Sequence, residues 1–166
     1  MQKTSTFSEL VTYFKNIATQ HIAIQHTDTK KHFYRFELDE VLSGLNGINY
    51  PAFILEGYKY DFIDNKSDNI QKKRQGAFIL LDHVGDAGDY TKIHQVWDSL
   101  EEIGDDILAK IKADRRVPGN PVVNFDISEV SANLIATEMG NHYGIRFLFT
   151  IDSKFEGVVK PEKWLS

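Results

Sequence analysis

One segment limits the possible folds of this chain more than any other. From Asp89 to Arg116 the apolar residues Ile93, Val96, Trp97, Leu100, Ile103, Ile107, Leu108 and Ile111 recur at helical spacings. That period puts them on one stripe of a helix, and such a stripe must lie on another apolar surface. At about 1.5 Å per residue the helix reaches roughly 40 Å, enough to cross a small sheet. Trp97 and Leu100 are therefore expected to be buried against a sheet. The loop Gly85 to Asp89 delivers Asp89 as N-cap, while Lys110, Lys112, Arg115 and Arg116 complement the dipole at the far end. Pro118, Gly119 and Pro121 stop the helix.

The flanking sequence supplies that sheet. A first helix is predicted from about Thr6 to Gln20, with Thr6 and Glu9 as a T-x-x-E capping box and Leu10, Phe14 and Ile17 on its buried face. A polar stretch, His26 to His32, follows. Phe33, Phe36, Val41, Leu42 and Leu45 then suggest a short helix or irregular cover, ended by Gly44 and Gly47. Pro51 opens a strand, Ala52 to Ile63, in which simple alternation puts Tyr58, Tyr60 and Phe62 on one side and Phe53 and Leu55 on the other. Asp64 to Asn69 is a turn, and Gln75 to Val84 a partner strand, giving an antiparallel hairpin. After Pro121 come Val122 to Ile127, a middle around Ser131 to Glu138 with no clear pattern, and a strand over Ile145 to Ile151. The order predicts a two-layer α+β sandwich: a largely antiparallel sheet with the long helix and the N-terminal helix on one face. One domain spans 1–166, with 154–166 as a tail.

Composition narrows the function. The chain has 166 residues, 42% hydrophobic and 26% charged, as expected of an ordinary globular protein. A net charge of −5 does not recommend nucleic acid or an anionic membrane as partner. Cysteine is absent, which removes disulfides, thiolate metal sites and cysteine nucleophiles. No stretch approaches a membrane span, and Met1 to Phe7 lacks the layout of a signal peptide, so assembly in a cytoplasm without membrane contact is expected.

Chemical motifs are sparse. His21, His26 and His32 match no paired zinc spacing. His83 lies near Asp82, Asp86 and Asp89, making that loop the best metal or acid/base candidate, although acids before a helix serve as caps. G-N-H-Y-G at Gly140 to Gly144 reads as a hairpin turn. No Walker loop or G-x-S-x-G is present. Asp61, Asp64 and Asp68 imitate a calcium loop, but Ile63 and Lys66 fall where oxygen ligands are needed. No metal, cofactor or catalytic residue is expected.

Charge and aromatic content point instead to contacts between proteins. Asp98, Glu101, Glu102, Asp105 and Asp106 fall largely off the apolar stripe of the long helix. Lys72, Lys73 and Arg74 form a basic run beside the hairpin turn, with Lys66 in the turn itself. Three cations without an interleaved aromatic platform are weak evidence for nucleic acid. An intersubunit match between this hairpin and the acidic helix face fits at least as well. Lys66, Lys72, Lys73, Arg74, Tyr58, Tyr60, Glu101, Glu102 and Asp105 are the candidate interface.

A helix at Ser8 to Gln20, a Pro-initiated strand (PAFILEGYKYDF), a partner strand (QGAFILLDHV), a long helix and closing strands ending in GIRFLFTID make a recognisable order. It resembles the tail-terminator and tail-completion (neck) proteins of long-tailed bacteriophages, over Ser8 to Asp152. The resemblance implies a non-enzymatic structural virion protein. Such a protein forms a homo-oligomeric ring, commonly a hexamer, that caps the tail tube and joins it to the neck or head connector. DNA passage through that ring is compatible with the resemblance. The alternative is a small-molecule-binding or enzymatic α+β domain with its site near His83.

Overall fold

Thr6 starts the first helix as its side chain suggests. In the computed structural model, which describes residues 5–35, 47–137 and 140–165, its hydroxyl accepts from the Glu9 amide (3.2 Å) and the Glu9 carboxylate accepts from the Thr6 amide (2.7 Å). Two otherwise orphaned amides are thereby satisfied. Helix α1 (Phe7–Gln20) buries Leu10, Phe14, Ile17 and Ala18. The long helix α2 (Tyr90–Asp114) is capped by Asp89, which accepts from the Lys92 amide at 3.0 Å. Its stripe is buried at Ile93, Val96, Leu100, Ile103, Ile107 and Ile111. Trp97 is half-buried, with its indole donating to the Gly144 carbonyl at 3.1 Å.

α1 and α2 cover one face of a sheet with six described strands. Its strands are β1 (Phe33–Tyr34), β2 (Ala52–Leu55), β3 (Lys59–Ile63), β4 (Gln71–His83), β5 (Ser131–Ala136) and β6 (His142–Lys154). The order is β1-β2-β4-β6-β5, and β3 pairs with the first part of β4 where β2 pairs with its last part. Among the described strands β1 and β2 run parallel and the other pairs are antiparallel. The fold is α+β with two layers, as the element order predicts. Under the helices Phe14, Phe53, Phe78, Phe147 and Phe149 form the aromatic centre, with Phe78 stacked on Phe147 at 4.8 Å. A smaller cluster on the other face gathers Tyr34, Ala52, Ile54, Ile79 and Leu81.

Several expectations are corrected. The strand foreseen over Ala52 to Ile63 is two pieces joined by a bulge. Leu55 faces Phe78 but Lys59 faces Gln75, so Glu56, Gly57 and Tyr58 oppose only Gly76 and Ala77. One extra residue shifts the alternation by one. Tyr58, Tyr60 and Phe62 therefore share the helix-side face with Phe53 and Leu55 rather than opposing them. β4 begins at Gln71, not Gln75, because the turn is complete by Ile70. Val122 to Ile127 is a series of turns rather than a strand, tied to β6 by a bridge from Phe125 to Ile151 and by the Asn124 side chain on the Asp152 carbonyl. The patternless middle holds β5 instead. The cover expected around Phe36, Val41, Leu42 and Leu45 lies outside the described residues.

The polar stretch His26 to His32 is also not what it seems from sequence. His26 and His32 are buried, and the Nδ1 of His26 accepts from the amides of His32 (3.0 Å) and Phe33 (3.2 Å). An acceptor at Nδ1 requires a ring without a proton there. Burial, with repulsion from Lys15, His32 and Lys31 outweighing Asp28, holds the His26 pKa below its ordinary value. The unfolded chain then binds a proton near pH 6.5 that the native ring refuses, so stability falls as pH drops below about 6.5. His26→Asn, whose Oδ1 can replace the Nδ1 acceptor, is expected to flatten the difference in urea midpoint between pH 7.5 and pH 5.5. An unchanged pH dependence in that variant would assign the effect to another group.

Candidate functional site

Beyond the end of the helical layer the sheet continues as a three-stranded extension of β3, the first part of β4 and the end of β6. All five residues of β3 are exposed, with Tyr60 at 49% and Phe62 at 50%. On this face the bulge lines up a row of rings: Phe7 on Tyr58 (5.5 Å), Tyr58 near Tyr60 (6.5 Å), Tyr60 on Phe62 (5.8 Å) and Phe62 on Phe155 (4.9 Å). Cations interleave with them. The Lys72 ammonium lies 3.8 Å from the centre of the Tyr60 ring, and the Arg74 guanidinium 5.6 Å from that of Tyr58. Each such contact contributes about 0.5–1 kcal/mol where exposed and more where desolvated. Burial of the lysine, then repulsion from Arg74, keeps the Lys72 ammonium below the usual lysine pKa.

The basic run is therefore not one surface. Strand alternation sends Lys72 and Arg74 to the aromatic face and Lys73 to the other, where its ammonium meets Glu129 at 2.9 Å. Arg74 is only 2% exposed and donates from Nη1 to Ser153 Oγ at 2.9 Å. It is a core residue of the extension, contrary to its place in an exposed polar turn. Lys66 does lie in the turn, in the left-handed region at φ 60°, with its amide held by the Asp64 carboxylate at 2.7 Å. The expectation that the cations lack interleaved rings also fails, because rings and cations sit on different strands and only the register brings them together.

The acids of α2 lie off its buried stripe, as the spacing implies. Glu101, Glu102 and Asp105 are exposed on the outer side of α2, and among the described residues none makes an ion pair. Asp106 instead meets His21 at 3.2 Å. A row of free carboxylates and a ring-and-cation strip thus occupy separate parts of one molecule.

His83 acquires neighbours that sequence spacing does not reveal. It pairs directly with His142 across β4 and β6, their rings 5.3 Å apart, and stacks on Tyr50 at 5.9 Å. The Tyr50 hydroxyl lies 2.5 Å from His142 Nε2. Burial, then the charge of Asp82, raises the Tyr50 pKa. The nearby acids serve the backbone: Asp82 accepts from the His83 amide, Asp86 from Gly88 and Asp89 from Lys92. Among the described residues no group of three histidines or acids is placed to hold a metal ion. The cluster joins the Tyr50 phenol to the His142 imidazole by a hydrogen bond, with the His83 ring packed against both. The sequence carries no signal for this meeting: G-N-H-Y-G lies between β5 and β6, whereas His142 reaches His83 through the long-range pairing of β4 with β6.

No helix among the described residues is long and apolar enough to cross a membrane. No family model matches this chain, and no curated protein matches it.

Proposed function

We propose that the chain is a structural subunit that assembles into a ring, caps a bacteriophage tail tube and forms the junction to the neck. The exposed aromatic extension is the observation that carries this reading. Tyr60, Phe62 and Ile63 stand about half exposed on a strand that projects past the helices. Rows of exposed rings mark surfaces that associate, since aromatics are enriched at interface centres. The element order that resembles tail-completion proteins supports the same reading. Lys72 on the extension and Glu101, Glu102 and Asp105 on α2 supply opposite charges on different faces. Contact between two different faces is heterologous, and repeats of it close into a ring when the rotation permits. Opposite charge across such a contact fixes register.

The test replaces Tyr60 and Phe62 together with serine. Both side chains are half exposed, so the monomer should keep its far-ultraviolet dichroism and its melting transition. Sedimentation should show a closed oligomer for the parent chain and a loss of it in the variant. Electron micrographs should show the parent chain at the ends of tail tubes. A parent chain that stays monomeric at every concentration, or a variant that assembles as well as the parent, would sink the reading. A second reading, a small-molecule site, is favoured by the Tyr50, His83 and His142 cluster. It expects ligand-dependent chemical shifts at those rings and none at Tyr60.

A further inference from the structure

Residues 155–165 form an arm in which every residue is exposed. Beyond Phe155, four large apolar side chains stand in solvent there: Val158 (72%), Val159 (69%), Trp164 (72%) and Leu165 (104%). Single exposed apolar residues are unremarkable, but two apolar doublets on either side of the short 3-10 turn Pro161–Lys163 are enough apolar surface to ask what covers them. At about 3.3 Å per residue, the arm can reach roughly 36 Å from its root.

A receptor of fitting chemistry exists on the same chain. Between α1 and the loop that follows α2 lies a mainly apolar groove of about 910 Å³, walled by Thr12, Tyr13, Val117, Pro118 and Pro121. That volume lies in the range of preformed ligand sites. The Tyr13 hydroxyl donates to the Asp114 carboxylate at 2.9 Å and fixes one wall. Arg116 lines the groove, is exposed, and has no ion partner among the described residues. The arm carries Glu162 two residues before Trp164, equally without an ion partner.

The arm's own root turns away from this groove. The Phe155 amide donates to the Ile70 carbonyl at 2.9 Å, and its ring reaches across β4 to Phe62 of β3. The groove's loop wall is tied to β6 on the other side of β4, through Asn124 Nδ2 donating to the Asp152 carbonyl at 3.1 Å. The root of the arm thus leans toward the β3 edge, on the side of β4 opposite the Asn124 anchor. We infer that the arm of one copy seats its Trp164–Leu165 end in the groove of a second copy, with Glu162 meeting Arg116. Arm and groove are different surfaces, so the contact runs head to tail and propagates around a ring. The inference concerns how copies hold one another and does not depend on what the assembly caps.

The test uses full-length Arg116→Glu and Glu162→Arg, both at exposed positions, followed by sedimentation velocity and by melting of the monomer. Each variant alone places like charges together and should raise the dissociation constant of self-association by about tenfold. Equimolar mixing of the two should restore association, because each groove then meets an arm of opposite charge from the other variant. Trp164→Ser should weaken association in the parent chain and should not be rescued by mixing. The inference fails if the parent chain does not self-associate or if the charge variants associate normally. It fails equally if Arg116→Glu/Glu162→Arg on one chain restores behaviour while mixing does not, since that result places the arm in its own groove. Association that follows this pattern without any binding to tail tubes would leave the inference standing and remove the proposed function.

Discussion

Leu100→Ala is expected to lower the stability of the fold by about 2–5 kcal/mol, the range for truncating a buried leucine to alanine in a core. Leu100 is 1% exposed in the centre of the stripe on α2, in the cluster that includes Val96, Ile103 and Phe147. The cost depends on whether the site can collapse after truncation. Here it is restrained on both sides along the helix. One turn earlier the Trp97 indole is bonded to the Gly144 carbonyl, and one turn later Gly104 lies against the Phe147 ring. A helix pinned at both points cannot settle into the space left behind, so the upper part of the range is expected. Urea denaturation should show a lower midpoint with an unchanged slope. Leu134→Ala is the control: Leu134 is 56% exposed on β5, so its change should stay within about 0.5 kcal/mol. Near-neutral stability for Leu100→Ala would mean that the stripe is not packed on the sheet.

Period and caps made the helices legible. The capping box at Thr6 and the N-cap at Asp89 are local events, decided by side chains within three residues of the amides they bond. The stripe on α2 needs only a repeat along one helix, and six of its positions are buried as the repeat requires. What failed was long-range. The bulge at Glu56 to Tyr58 is an offset between two strands, invisible in either alone, and it decides which face Tyr60 and Phe62 occupy. β5 carries no strand pattern because Ser131–Ala136 is an exposed edge strand with no buried face to impose alternation. Arg74 looked like a surface cation because charge is read from sequence while its burial under Tyr58 comes from register. The candidate interface was therefore half legible: the acids of α2 by period, the ring-and-cation strip only after pairing.

Gly104→Ala offers a sharper test of how closely α2 lies on β6, because local and tertiary preferences oppose each other there. In the middle of a helix, alanine is favoured over glycine by about 1 kcal/mol. A Cβ at position 104, however, would sit 2.1 Å from Phe147 Cζ and 2.8 Å from both Cε atoms. The ring has little freedom to withdraw, since its far side is stacked on Phe78 at 4.8 Å with only 14° between the planes. Overpacking of this kind costs typically about 1–3 kcal/mol, so destabilisation is expected to win over propensity. Phe147→Leu removes the clashing ring atoms and should itself be destabilising. In the double variant the two effects should not add, and the coupling should favour the pair by about 0.5–3 kcal/mol. Alanine at 104 would then recover its helical advantage once the ring is gone. If Gly104→Ala stabilises the parent chain, α2 can lift from the sheet at no appreciable cost. The close approach at Gly104 would then not be what restrains the helix over Leu100.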